Sequence, residues 1–414
     1  MRFRVSAVLI ASFALLFVLV CGRSDQKTST GKAEIKLAVA GQSLIKIDPR
    51  KHWSSPFGCV KQILESADVG FTNFEMAVDN NCGVPDNYQV MTGKPALVSD
   101  RPGNTSGPHA VQENIMEFLS SMNFQLQSLA NNHAWDLGGC GITATIAAAK
   151  KYGVTHAGTG NNLEEATRAA IMEVKGVRIA LVAATTSRDE RKLILPTDSN
   201  PGVNGVWTGW QEDWDRNINA VRSARQNADF VIYYQHFQID QKDADGKGKY
   251  GHKKVGDMHK WQEAFAKAII DAGAGLYIAH GERVFDGVEI YKGRPIFRQF
   301  GGFSYQGIQG EGAYDPLVWE GLLGMLTIED GYIRSIEIIP LELNEGNEKE
   351  YGDAIEFREK RGFSDVATGP MAAKILNRFK DLSVKYGTSV KIKGEKAIIE
   401  IQGLPASKTT TRGR

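Results

Sequence analysis

The sequence predicts an α/β fold in which a mainly parallel β-sheet is backed by antiparallel strands. From residue 34 onward, short apolar runs alternate with helical patterns, which is typical of parallel sheets. The run Gly321–Leu343 is interrupted by Asp330-Gly331, a two-residue turn that favours an antiparallel hairpin. With 42% hydrophobic and 23% charged residues among 414, the chain can bury a sizeable core, and global disorder is excluded.

The elements of the first half follow from periodicity and capping residues. Ile35, Leu37 and Val39 alternate on one face, which predicts a strand over Glu34–Gly41. Gly153 follows a helical pattern at the position of a C-terminal cap. The other elements predicted here are helices over Phe57–Ala67, Glu113–Met122 and Gly141–Tyr152, and strands over Ala67–Phe74, Phe124–Ala130 and Val154–Ala157.

The second half repeats this alternation. Trp261, Phe265 and Ile269 fall on one helical face, and Gly273 ends that helix. The remaining elements predicted here are strands over Arg178–Thr185, Phe230–Gln235, Leu276–Ala279 and Pro295–Phe300, and a helix over Glu212–Asn227.

The N-terminus has the pattern of an export signal. Arg2 and Arg4 precede the apolar run Val5–Val20, and Cys21 follows at the position lipidated in bacterial lipoproteins. An uncleaved membrane anchor and ordinary secretion are the alternatives. All three place the body of the protein outside the cytoplasm, in the cell envelope or the periplasm.

Four segments are predicted along the chain. Residues 1–21 form the signal or anchor, and residues 22–33 form a polar tether. Residues 34–343 form the main α/β domain. Residues 344–414 form a small C-terminal appendage with a helix over Lys374–Lys385 and a hairpin over Ser389–Gln402.

The cysteines beyond Cys21 allow two arrangements. Thiols outside the cytoplasm can oxidise. Cys59 and Cys82 flank the second strand and could form a disulfide. In the alternative, both stay reduced and buried, as does Cys140.

The charge balance excludes a protein built around nucleic-acid binding. The 49 Lys and Arg residues nearly cancel the 48 Asp and Glu residues, which leaves a formal net charge of +1. Binding to a nucleic-acid backbone favours a basic excess.

Polar residues follow five of the predicted strands. Because the carboxyl ends of parallel strands meet at one crevice, these side chains are expected to lie together. Asn, Glu and His side chains are fitting ligands for a divalent cation. Taken singly, each residue also has an ordinary structural role, such as a helix cap or a hydrogen-bonded histidine. The residues are Gln42 and Ser43; Asn73 and Glu75; Asn131, Asn132 and His133; His236; and His280.

Three longer stretches carry a family resemblance. The stretches Asp68–Val78, Ser128–Ala166 and Ile270–Tyr305 resemble, in order and spacing, the motifs of the CapA family of capsule and poly-γ-glutamate biosynthesis proteins. The resemblance covers about residues 34–310, and Leu382–Thr388 looks like a tail found in one branch of the family.

The resemblance implies a fold similar to calcineurin-like metallophosphatases, a β-sandwich flanked by helices with a metal site at the strand ends. It implies one divalent ion (zinc, manganese or magnesium), or none. Asn132 and His236 would be catalytic, and Asn73 would orient Glu75 and contact substrate. The implied metal ligands are Glu75, His133, His236 and His280.

This chain departs from the family pattern at three positions. Gln42 replaces an aspartate and brings no negative charge, Arg283 replaces a histidine, and Gly302 replaces an asparagine. Arg283 stays protonated and cannot ligate a metal, but it suits bidentate binding of phosphate or carboxylate. Gln42 and Arg283 are therefore predicted to bind substrate. An ion pair of Arg283 with Glu282 or Asp286 is the alternative.

Three functions remain open from the resemblance, and the third of them is a purely structural lipoprotein in which the site is a relic. In the first, the protein is a metal-dependent hydrolase that acts on a phosphoryl or acyl group of an anionic surface polymer or its precursor. In the second, a degenerate site only binds the polyanion within a membrane-bound synthesis or export complex. All three readings attach the protein to the membrane through its N-terminus.

Overall fold

Two β-sheets pack face to face between layers of helices. The computed structural model describes residues 33–52, 57–82, 109–186, 194–238, 255–307, 311–312, 314–347 and 354–403. The predicted export signal, Cys21 and nearly all of the tether lie outside these residues. None of the helices in the described ranges has both the length and the apolar character needed to cross a membrane.

The strands and helices are numbered in chain order. The strands are β1 Ile35–Leu44, β2 Val69–Phe74, β3 Ala77–Val78, β4 Ala110–Val111, β5 Leu126–Ser128, β6 Thr155–Ala157, β7 Thr159–Gly160, β8 Ala170–Val174, β9 Val177–Thr186, β10 Gly202–Val203, β11 Phe230–Phe237, β12 Leu276–Gly281, β13 Val288–Tyr291, β14 Arg294–Phe297, β15 Gly302–Tyr305, β16 Glu320–Glu329, β17 Tyr332–Leu343, β18 Ser364–Val366, β19 Lys391–Lys393 and β20 Lys396–Glu400. The helices are α1 Gly58–Glu65, α2 Asn114–Ser121, α3 Gly138–Lys151, α4 Leu163–Thr167, α5 Gln211–Asn227, α6 Val255–Asp271, α7 Ala354–Lys360 and α8 Gly369–Val384.

The larger sheet joins a parallel half to an antiparallel half. Its strand order is β19-β20-β17-β16-β1-β2-β5-β6, with β15 also paired to β1 and β18 to β17. Strands β1, β2, β5 and β6 are parallel, whereas β16, β17, β20 and β19 pair antiparallel. Asp330 and Gly331 both have positive φ, 52° and 78°, as a tight hairpin turn requires. The hairpin is therefore confirmed.

The smaller sheet has four parallel strands between two antiparallel edges. Its order is β13-β14-β12-β11-β9-β8. Strands β14, β12, β11 and β9 are parallel, and β13 and β8 are the antiparallel edges. Neither edge strand was predicted from the sequence. Their side chains are mostly half-exposed, so they lack the apolar run that marks a central strand.

The sandwich core lies between the two sheets. On β9, Leu181 and Ala183 face this core, whereas Val182 and Ala184 face α5 and α6 on the outside. The rings of Phe71 on β2 and Tyr234 on β11 meet across the sheets, with centroids 5.6 Å apart. The predicted α/β sandwich flanked by helices is confirmed.

The C-terminal segment continues the larger sheet. Strand β20 pairs with β17, and β19 completes a hairpin with β20. Helix α8 packs beside it, and the Val288 N–H on β13 donates to Ser383 Oγ on α8 at 3.2 Å. The predicted helix and hairpin of the appendage therefore attach directly to both sheets.

A disulfide joins Cys82 to Cys140, with Cα atoms 5.5 Å apart and a sequence separation of 58. Both predicted arrangements, a Cys59–Cys82 bond and three reduced cysteines, are wrong. Strand β3 crosses to α3, where the Val78 N–H donates to Thr145 Oγ1 at 2.9 Å, and this contact brings Cys82 to the start of that helix. Cys59 lies on α1 and takes no part in the bond.

His156 on β6 predicts a pH-dependent loss of stability. Burial lowers the pKa of this histidine from 6.5 to about 4. The unfolded chain therefore binds more protons between these two pH values, and stability falls as pH falls through this window. Between pH 6.5 and 4, the wild type is expected to lose up to about 3 kcal/mol more than His156→Gln. Urea unfolding at a series of pH values tests this, and parallel curves for the two proteins would contradict it.

Candidate functional site

The predicted polar residues lie at one end of the sandwich, where the parallel strands of both sheets finish. His236 on β11 and His280 on β12 are register partners in the smaller sheet. Gln42 on β1 and Asn73 on β2 are partners in the larger sheet. The Gly281 N–H donates to Gln42 Oε1 at 2.9 Å, which ties the two sheets together at this end.

Glu75 and His236 face each other across this end of the sandwich. Glu75 Oε1 lies 3.9 Å from His236 Nε2, and the two side chains are 4% and 0% exposed. Glu75 Oε2 and His236 Nε2 are buried and have no hydrogen-bond partner among the described residues. Buried polar atoms are rarely left unpaired, because each one costs free energy. Glu75 and His236 therefore form a candidate ligand-binding site.

Burial sets the protonation of this pair and of the neighbouring histidine. It raises the pKa of Glu75 to about 7, and the positive charges of His133 and Arg283 oppose this rise. It lowers the pKa of His280 to about 3 and that of His236 well below its ordinary value. Both imidazoles are therefore neutral at pH 7 and offer a nitrogen lone pair.

Asp136 orients His133. Its Oδ2 lies 2.9 Å from His133 Nδ1 and also accepts the His109 backbone N–H at 2.6 Å. Burial alone would lower the pKa of His133, but the Asp136 carboxylate outweighs it and raises this pKa. Asp136 was not among the predicted site residues. Asp136 lies three residues after His133, and this spacing is the pattern from which it could have been predicted.

His109 is a further site residue that the sequence analysis missed. Its ring stacks on the His133 ring with centroids 3.5 Å apart and an angle of 18° between the planes. The Ala77 N–H donates to the His109 carbonyl at 3.0 Å, so the pairing of β3 with β4 brings His109 to this position. Since His109 ends a stretch rich in Asn, Gly and Pro, no periodic pattern pointed to it.

The amide side chains hold different positions. Gln42 is buried, and its oxygen is engaged by Gly281. Asn73 Oδ1 accepts from Asn131 Nδ2 at 3.3 Å, while its own Nδ2 has no partner in the described part of the chain. Asn132 Oδ1 is likewise buried without a partner there. Asn73 and Asn132 thus keep an atom available for a ligand.

Arg283 lies between two tyrosine rings. Its guanidinium carbon is 4.9 Å from the Tyr305 centroid and 5.4 Å from the Tyr314 centroid. No ion pair joins it to a carboxylate within the described ranges, so the alternative of a bond to Glu282 or Asp286 is wrong. The Asp286 carboxylate instead accepts from the Tyr386 hydroxyl and the Gly287 N–H. Arg283 therefore keeps its donors for an anion.

The donor set fits one divalent ion only in part. Glu75 and His236 present opposed, unpartnered oxygen and nitrogen atoms, which are donors that such ions accept. In the described part of the chain, no group of three His, Cys, Asp or Glu side chains is arranged to hold a metal. The four-residue metal set stays a prediction, and Glu75 with His236 is the pair that fits.

A family model described as "Bacterial capsule synthesis protein PGA_cap" matches residues 36–306. The chain belongs to this family. The predicted CapA resemblance is thereby confirmed. PGA_cap relatives include the capsule biosynthesis protein CapA of Bacillus anthracis, 24% identical over 72% of this chain and 67% of that protein. The PGA biosynthesis protein CapA of Bacillus subtilis is 26% identical over 64% of this chain and 60% of that protein.

Several solved structures resemble this PGA_cap chain at low sequence identity. The sulfate thiohydrolase SoxB of Thermus thermophilus aligns with a TM-score of 0.40 and 11% identity, over 76% of this chain and 57% of that protein. A likeness at this distance has no bearing on substrate or activity.

Proposed function

We propose that this PGA_cap protein acts outside the cytoplasm in the biosynthesis or export of an anionic capsule polymer, as a hydrolase of phosphoryl or acyl bonds. The single observation that carries the proposal is the opposed pair of Glu75 and His236. Two buried, unpartnered groups 3.9 Å apart form a site that requires a ligand to satisfy them.

Glu75 and His236 would hold one divalent ion, with His133, His280 and Asn132 beside them. When bound, such an ion polarises a phosphoryl or acyl group and lowers the pKa of a bound water. The neutral imidazole of His236 suits this role because only an unprotonated nitrogen can ligate.

His133 and Arg283 would bind the acidic substrate. Asp136 holds His133 through Nδ1 and favours its protonated form, so the opposite nitrogen can donate to an anion. Arg283 adds a permanent positive charge, and its guanidinium fork matches a carboxylate or phosphate. Together they would place an acidic group of the polymer next to Glu75.

The disulfide supports the proposed compartment. Disulfides persist in oxidising surroundings and are rare in the cytosol. The Cys82–Cys140 bond therefore agrees with export by the predicted signal. Lipidation of Cys21, attachment to the membrane and membership of a synthesis or export complex belong to the same proposal.

A second candidate is a non-catalytic polyanion-binding component. One observation favours it: the oxygen of Gln42 is engaged by Gly281, so the position that most relatives fill with an aspartate contributes no free ligand. In this reading, Arg283 and His133 bind the polymer without bond cleavage.

A substrate assay separates the two candidates. Residues 22–414 with zinc or manganese are incubated with poly-γ-glutamate and with a panel of phosphoesters, and shortened chains or free phosphate are measured. We expect product formation that Glu75→Gln lowers by at least about 100-fold, because it removes the acidic group of the site. The exposed Glu117→Gln is the control. Polymer binding without product at any metal concentration would favour the second candidate.

A further inference from the structure

Arg283 differs from three other arginines that lie over aromatic rings. Each of those three also pairs with a carboxylate: Arg298 with Glu289, Arg361 with Glu345 and Arg378 with Glu320. Arg283 lies over Tyr305 and Tyr314, and it forms no ion pair within the described ranges. Two aromatic rings therefore stand where an ion pair holds the other guanidinium groups.

The two tyrosine rings form a packed pair. Their centroids lie 5.3 Å apart at an angle of 80°, the edge-to-face arrangement that aromatic rings prefer. Tyr305 is 6% exposed and Tyr314 is 9% exposed. Trp319 packs against both rings, with centroids 6.2 and 5.9 Å away. Gly307 leaves room for the pair, because an added Cβ would lie 2.6 Å from Tyr305 Cε1 and 2.8 Å from the Tyr314 hydroxyl oxygen. The fold therefore fixes both ring positions.

The tyrosine pair is anchored at the strand end where the site lies. Tyr305 on β15 is the register partner of Leu44, which ends β1 two residues after Gln42. Tyr314 precedes a 3-10 turn over Pro316–Trp319, in a separate segment of the chain. The two rings thus come from different segments and meet at the carboxyl end of β1.

The charge of Arg283 reaches the site. Arg283 follows Gly281 by two residues, and the Gly281 N–H donates to Gln42 Oε1 at the strand end. Burial raises the pKa of Glu75, and the charges of His133 and Arg283 oppose this rise. Because Coulombic effects weaken with distance, the guanidinium lies near Glu75. The tyrosine pair therefore holds a permanent cation beside the site.

Aromatic contacts suit this task because they leave the donors of a guanidinium unoccupied. The group is planar, and its five N–H donors lie in that plane. Rings that lie over its faces attract the positive charge without using a donor. An ion pair would use the donors that a substrate anion needs. A long side chain also loses conformational freedom when it binds a ligand, and holding it in place beforehand removes that cost.

We propose that Tyr305 and Tyr314 are positioning residues, which hold the Arg283 guanidinium in the orientation that binds an oxyanion beside Glu75. The inference rests on the proposed function, because that function assigns the acidic group of the substrate to Arg283. The tyrosines act through Arg283 and make no contact with the ligand themselves. They contribute to the affinity for the anion and not to the cleavage of a bond.

Inorganic phosphate is the probe for this arrangement. Calorimetry on the full chain, in buffer without added metal, gives the dissociation constant of phosphate for the wild type and for each variant. We expect Tyr314→Leu to weaken phosphate binding roughly 2- to 12-fold, because Arg283 must then be ordered on binding. Tyr314→Phe keeps the aromatic ring and is expected to keep the wild-type affinity. Arg283→Gln is expected to weaken binding by more than Tyr314→Leu does, because it removes the cation.

Tyr332→Leu is the matched control. The guanidinium carbons of Arg294 and Arg334 lie 4.9 and 5.7 Å from the Tyr332 centroid, so this tyrosine also contacts two arginines. It begins β17 beside the start of β1, which is the end of that strand away from the site. The Tyr332→Leu variant is therefore expected to bind phosphate as tightly as the wild type.

The outcomes separate the inference from the proposed function. If Arg283→Gln weakens phosphate binding and Tyr314→Leu does not, the positioning role is wrong and the assignment of Arg283 to the substrate anion stands. Equal losses in Tyr314→Leu and Tyr332→Leu would also overturn the positioning role. If the wild type binds no phosphate, or no more tightly than Arg283→Gln, the inference and that assignment are both overturned. Should Tyr314→Leu fail to fold, as judged by its thermal melt, Tyr314→Met is measured in its place with the same expected loss.

Discussion

Replacing both Cys82 and Cys140 with serine is expected to lower the free energy of unfolding by about 4 kcal/mol. The disulfide closes a loop with a sequence separation of 58, and its removal returns that conformational freedom to the unfolded chain. The bond also ties the segment after β3 to the helix that follows His133 and Asp136. We therefore expect the site to loosen as the protein loses stability.

Denaturant unfolding without reductant measures this effect. Cys59→Ser is the matched control, because Cys59 lies outside the disulfide. The control is expected to change stability by less than about 1 kcal/mol. Equal losses in the two variants would contradict a disulfide between Cys82 and Cys140.

Gly281→Ala is expected to destabilise the fold by about 3 kcal/mol. Gly281 has a φ of +125°, which L-residues rarely adopt, and an added Cβ would lie 2.6 Å from the Phe237 carbonyl carbon and oxygen. The backbone of β11 or β12 would have to shift, and the hydrogen bond from Gly281 to Gln42 would shift with it. Because His236 and His280 lie next to these two residues, ligand binding should weaken as well.

Gly153→Ala is the control for this substitution. Gly153 also has a positive φ, +68°, but an added Cβ there meets nothing within 4 Å. The Gly153→Ala variant is therefore expected to lose only about 1 kcal/mol of unfolding free energy, which is the cost of the left-handed conformation. If Gly281→Ala and Gly153→Ala unfold at the same denaturant concentration, this result would contradict the close contact between Gly281 and the Phe237 carbonyl.

The sequence alone located the strands that build the site. Strand β1 has an alternating pattern, β2 is a short, mostly apolar stretch, and β11 and β12 begin as apolar runs. Their ends could therefore be read directly, and Glu75, His236 and His280 follow from them. The rule that parallel strands end at one crevice then predicted their proximity, and the structure brings Glu75 and His236 to 3.9 Å.

The parts that were missed depend on contacts between distant segments. The edge strands β8 and β13 are half-exposed and carry mixed patterns. His109 reaches the site only because β3 and β4 pair, and these strands have two residues each. The disulfide partner of Cys82 was set by the crossing of β3 to α3, which no local periodicity records.

The central claim is that Glu75 and His236 form a site for one divalent ion, and a zinc titration tests it most directly. Calorimetry compares the wild type with His236→Gln and with His156→Gln, which removes a histidine on β6 outside the site. The wild type and His156→Gln are expected to bind about one equivalent, and His236→Gln is expected to lose it. No binding by the wild type, or equal binding by all three proteins, would contradict the claim.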